Sequence, residues 1–271
     1  MSGWHRCVAR TRALRCDAAE GLSVSGMIVT GARRDRVPAA FEPVVEAALD
    51  RVRNRGRGSL YVYGSVATGA AQRGLSDVDL LTVGVPRSEA DAIGHELSAA
   101  FTGTCRAVEV AAAEPQDYVG DGDESYGNRV FLRHYRVHLA GSDGRVSLPD
   151  FPGDERAARG FNGDIACHAR RWREALDRRD PRATLGRQAA RKTLLAVAGL
   201  VSIQDNGWTT DRATAAQRWS QIEPSTAEEL AMLLRWADTD ETPTAAAIRS
   251  AVDGIVAATT ASFATFIGLW A

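Results

Sequence analysis

The chain has 271 residues, 45% apolar and 25% charged, with a net charge of −1. That composition excludes a disordered or low-complexity polypeptide and a global basic field for nucleic acid or anionic membranes; it allows a full core and two domains. Cys7, Cys16, Cys105 and Cys167 stand far apart without paired metal-ligand spacing, so free thiols in a reducing cytoplasm are expected.

Residues 1–36 carry scattered arginines and no sustained period, and are read as an irregular extension. They lack a continuous apolar stretch, so no signal peptide is expected. After Pro38 the apolar stripe Phe41, Val44, Val45, Ala48, Leu49, Val52 predicts a helix closed by Gly56 and Gly58. Leu60 to Tyr63 is an apolar, aromatic strand that turns sharply at Gly64-Ser65. Small turns of this kind let backbone N–H groups approach a phosphate.

A second strand carries Asp77 and Asp79 one residue apart. Strand side chains alternate faces, so the two carboxylates point one way while Val78 and Leu80 enter the core. Their repulsion is relieved by a divalent cation, and hard oxygen ligands suit Mg²⁺, which shares its shell with substrate phosphates. Pro86 and Ser88 predict the next helix, with Ser88 at its N-cap, Ala92, Ile93, Leu97 and Phe101 inside, and Gly103 at its end. A short β-branched run then carries Glu109.

Residues 113–127 are acidic and turn-rich, which predicts a loop near the mouth of a site. Val130, Phe131 and Leu132 are expected to start a short helix, and residues 137–141 a strand. Pro149, Pro152 and Gly153 mark a boundary within residues 143–153. Helical patterns cover 157–179, 183–204, 211–221, 225–237 and 243–270, implying a bundle. Residues 254–271 are uncharged, yet Ile248, Val252, Ile255, Phe263, Phe266 and Leu269 fit helical spacing, so a buried helix is expected rather than a membrane span. The fold class is thus α+β: a catalytic domain with a mixed sheet over 37–145, then a helical domain over 154–271.

Gly64-Ser65, eleven residues, then Asp77-Val78-Asp79-Leu80 resembles the signature of the DNA polymerase β-type nucleotidyltransferases. The resemblance implies Glu109 as a third carboxylate, and a strand at 137–141 ending the catalytic domain. The helical half is similar in pattern to streptomycin and spectinomycin adenylyltransferases. The stretches that carry this likeness are Arg191-Lys192-Thr193-Leu194-Leu195, Asn206-Gly207-Trp208 through Arg212, and Ala215-Ala216-Gln217-Arg218-Trp219.

The likeness implies transfer of AMP from ATP to an acceptor hydroxyl, with two Mg²⁺ ions roughly 3.5–4 Å apart. Asp77, Asp79 and Glu109 would hold the metals, Glu109 would accept the acceptor's proton, and Gly64, Ser65 and Ser76 would meet phosphate oxygens. Arg212 would bind the triphosphate through its planar guanidinium, and Trp236 would lie against adenine. Lys192 stands where the family has asparagine, Ala189 where it has an acid, and a family arginine falls on Gly199. Trp172 and Asp177 have the spacing the relatives use to hold a drug.

Three readings of the partner remain: a small hydroxylated acceptor of aminoglycoside type, with antibiotic resistance as the role; tRNA or a protein, docked on the arginine-rich run 170–192; or a non-catalytic nucleotide-binding module. The acidic loop favours the first, since a polycation would be drawn there.

Overall fold

The computed structural model describes residues 17–54, 56, 58–178, 184–239 and 241–270; Cys7 and Cys16 lie outside them. Ile28–Val29 (β2) pairs antiparallel with Gly21–Leu22 (β1), a small hairpin in the stretch that carries no sequence period. The main sheet begins after Glu42–Arg53 (α1). Its strands are Ser59–Tyr63 (β3), Val78–Val83 (β4), Val108–Ala113 (β5) and Val137–Ala140 (β6), in the order β5-β4-β3-β6. β4 and β5 are parallel and the other pairs antiparallel, so the sheet is mixed as expected.

Between strands lie Gly64–Thr68 (α2), Arg87–Ala100 (α3) and Asp123–Tyr135 (α4). One sheet face packs against α1 and α3 through Val44, Val45, Leu60, Val62, Leu80, Ile93 and Leu97. β5 is an edge strand, and α3 covers its open side: the Ser98 hydroxyl donates to the Val108 carbonyl and accepts from the Val108 N–H at 2.8 Å. Satisfying those groups removes a template for edge-to-edge pairing.

Glu155–Asn162 (α5), Ile165–Asp177 (α6), Leu185–Gln204 (α7), Arg212–Ile222 (α8), Ala227–Asp238 (α9), Ala245–Ala251 (α10) and Ala257–Phe266 (α11) make the helical half, with a π-helical turn over Val252–Val256. Its core runs along α7 and takes in Tyr126 and Val130 of α4. The two halves therefore share α4.

Three local expectations differ from the structure. Ser88 is not an N-cap, because α3 starts at Arg87 with Pro86 in the cap position and no side-chain cap bond. α4 begins at Asp123 rather than near Val130, and Asp123 and Glu124 form its first turn, where negative charge suits the helix N-terminus. The long helix expected over 157–179 is interrupted at Gly163, which is wedged against Trp270 and accepts the Trp270 N–H at 3.1 Å. At the other end of the chain Ile248, Val252, Ile255 and Phe263 are buried, whereas Phe266 is exposed. Among the described residues no helix is long and apolar enough to cross a membrane.

Candidate active site

Tyr63 ends β3, and Gly64 turns the chain with φ of +68°. A Cβ built at Gly64 would stand 2.4 Å from Asp79 Oδ2, so glycine meets both the left-handed conformation and the close approach of a carboxylate. Across the sheet, Tyr63 pairs with Asp79 and Asp79 pairs with Glu109. Directly paired residues present their side chains on one face. The sheet thus sets a tyrosine and two carboxylates in a row, with Asp77 just before β4.

The electrostatics result from that crowding. Burial pushes the Asp79 carboxyl from 3.8 up to about 7, and the charges of Glu109 and Asp77 add to it. Burial, with Asp79 beside it, also pushes the Tyr63 phenol up to about 12. Asp77 is tied to Arg106, whose Nε donates to Oδ1 at 2.9 Å while Nη2 donates to Oδ2.

Opposite charge comes from the helical half. Arg191 on α7 acts on Asp79 favourably, and its own pKa is lowered by burial and by Arg212, Arg187 and Arg106, with Glu109 opposing. Arg191 Nε donates to the Ala237 carbonyl at 3.3 Å, and Arg187 Nη2 donates to the Thr239 carbonyl at 2.7 Å. Arg212 is held to Asp238 at 3.0 Å, and its buried Nε has no hydrogen-bond partner. α7 and the start of α8 therefore gather guanidinium groups that repel one another, and the end of α9 supplies the acceptors that hold them. A polyanion is the ligand that would settle them.

The other residues singled out in the sequence occupy varied positions. The Ser65 carbonyl accepts from Ala70 and Ala71, and Ser76 Oγ accepts from the Gln72 N–H at 2.9 Å. Lys192 forms an ion pair with Asp164 at 2.6 Å and donates to the Phe161 carbonyl, tying α7 to the α5–α6 junction. Trp236 is buried and donates from Nε1 to Glu241 at 3.2 Å. Trp172 is buried against His168, and Asp177 pairs with Arg249 at 2.8 Å. Gly199 lies against Phe263 and Ala158 inside the bundle, where an arginine has no room. Nothing in the sequence pattern assigned a site role to Arg106, and Arg187 and Arg191 entered only within the arginine-rich run 170–192. The spacing of Arg187 and Arg191, one helical turn apart, was their visible signal.

Among the described residues no three His, Cys, Asp or Glu side chains close on a single point, and Asp77 is held by Arg106. The donor set nonetheless fits Mg²⁺: hard carboxylate oxygens, partly buried and so crowded that one of them holds its proton to about pH 7.

Residues 45–126 match the family model of the nucleotidyltransferase domain. No curated protein matches the chain in sequence at a significant level. In structure the chain is similar to spectinomycin adenyltransferase AAD(9) from Enterococcus faecialis, determined with ATP and spectinomycin. The TM-score is 0.52 at 10% identity, over 80% of this chain and 98% of that one, which shows a common fold. The matched residues 45–126, on which the carboxylate row and the Gly64 turn stand, are a nucleotidyltransferase domain.

Proposed function

We propose that the chain transfers AMP from ATP to a hydroxyl group of a small, aminoglycoside-like acceptor and releases pyrophosphate. The observation that carries this reading is the register that sets Glu109 beside Asp79, faced by Arg191 from the helical half. The structural neighbour was determined with ATP and spectinomycin, which supports the same pair of ligand classes here.

In this mechanism Asp77 and Asp79 would hold a divalent ion. When bound, Mg²⁺ supplies charge neutralisation on the phosphate oxygens and helps align acceptor and α-phosphorus. Arg191 and Arg212 hold phosphate oxygens from across the cleft, and Gly64 leaves room for the carboxylate against the turn. Glu109 takes the proton of the acceptor hydroxyl as its oxygen bonds to the α-phosphorus, and the bond to the β-phosphate oxygen breaks. The donor is thereby split into AMP, carried by the acceptor, and pyrophosphate.

The arginine-rich run does not support RNA as well as it supports a small acceptor. Within that run Arg191 acts on Asp79 and Glu109 and Arg173 pairs with Asp253, so these two guanidinium groups are engaged inside the molecule.

The test is incubation with α-labelled ATP and Mg²⁺ against a panel of aminoglycosides and tRNA. Label should appear on a small acceptor, and Asp79→Asn and Glu109→Gln should each lower kcat/KM by at least about a hundredfold. Variants within about tenfold of the parent, roughly 1.4 kcal/mol in barrier, are incompatible with these roles. Label on tRNA alone would replace the acceptor class and leave the chemistry standing.

A further inference from the structure

The fork between Arg106 and Asp77 occupies both oxygens of a carboxylate that the proposed function assigns to a metal. The Asp77 side chain is 14% exposed and that of Arg106 51%, and the Arg106 N–H donates to the Ser76 carbonyl at 3.0 Å, which sets the two backbones side by side. A guanidinium seated on both oxygens of a carboxylate is among the stronger polar contacts a protein makes. A divalent ion held by Asp77 and Asp79 needs at least one of those oxygens. Ion and fork therefore compete.

The displaced guanidinium has a difficult destination. Arg106 acts electrostatically on both Asp79 and Arg191, so a carboxylate and a guanidinium both lie within range of its charge. Released from Asp77, it would face a cation at the metal site and the guanidinium of Arg191 on α7. An anion is required there, and the phosphates of a nucleotide supply it.

We propose that Arg106 is a positioning residue that holds Asp77 until nucleotide phosphates take over its guanidinium, so that divalent ion binds well only together with nucleotide. This rests on the reading that Asp77 and Asp79 hold the metal. Arg106 is then a coupling device, and by linkage it strengthens nucleotide binding in the presence of metal by the same factor.

Binding measurements decide this without turnover. Mn²⁺ affinity is measured by calorimetry on the parent, Arg106→Gln and Asp79→Asn, with and without a non-hydrolysable ATP analogue. Without nucleotide, Arg106→Gln should bind Mn²⁺ about tenfold more tightly than the parent, since the competing charge-assisted bonds are gone. The enhancement of Mn²⁺ affinity by the analogue should fall by about the same factor. Equal or weaker Mn²⁺ binding by nucleotide-free Arg106→Gln, with uptake still lost in Asp79→Asn, overturns this inference alone. Mn²⁺ uptake indifferent to Asp79→Asn overturns the metal-site reading and this inference together.

Discussion

Asp79 shows how a single residue reports the state of the site. Its carboxyl is raised to about 7 against 3.8 in a free chain, because burial and two neighbouring carboxylates oppose its charge. In the metal-free protein the unfolded chain loses this proton near pH 4 while the folded protein keeps it to about pH 7. Stability therefore falls as pH rises through that window, and the contribution is fully lost above it. Asp79→Asn escapes the loss. In EDTA the variant should melt several degrees above the parent at pH 8, with the gap closing toward pH 4; an equal gap at both pH values would contradict the assigned burial. The same charge that weakens the empty protein is what a bound dication would use.

At the scale of elements, the joint between the halves is a helix crossing whose closest point is glycine against glycine. Gly127 on α4 and Gly160 on α5 meet backbone to backbone: a Cβ on Gly127 would stand 2.3 Å from the Gly160 carbonyl oxygen, and one on Gly160 would stand 2.7 Å from the Gly127 Cα. Both atoms are main chain, so neither can swing aside. Gly127→Ala should cost about 1–3 kcal/mol and push the helices apart, lowering the thermal midpoint. A midpoint unchanged within a degree would show the crossing to be looser than this geometry. α4 also decides where the acidic stretch goes, since its first turn includes Asp123, which pairs with Arg159 of α5 at 2.9 Å.

Across the whole molecule, a polar knot joins pieces far apart in the chain. Glu20 accepts from the hydroxyls of Tyr135 and Thr210 at 2.7 Å and from the Thr210 N–H at 2.8 Å, and Trp208 Nε1 donates to the Tyr135 oxygen at 2.6 Å. Burial raises the Glu20 carboxyl, and these donors pull against that shift. Beside the knot, rings run in sequence from Tyr63 through Phe131 and Phe161 to Trp208, linking the carboxylate row to the helical half. Tyr135→Phe keeps the ring packing, strands the Trp208 N–H and removes one of the donors to Glu20, whose oxygens keep those of Thr210. It should cost about 1–3 kcal/mol in urea unfolding, and a loss below about 0.5 kcal/mol would mean that water replaces the hydroxyl.

The features that the sequence determined by itself are local. The Gly64-Ser65 turn, the Asp77-Val78-Asp79 pair on a strand, and the apolar stripes of α1 and α7 depend on neighbours within a few residues, so spacing reveals them. Glu109 was legible only through its resemblance to a family, because nothing local ties it to Asp79. Register across a parallel pair did that. Tertiary structure alone brought Arg106 onto Asp77 and turned Arg191 toward the carboxylates, while it engaged Lys192 with Asp164 and buried Trp172 and Trp236 in the bundle. Adjacent helix positions point about 100° apart, so which of two neighbouring cations meets the cleft is decided by how the helix is rotated in its packing, and no spacing in the chain encodes that rotation.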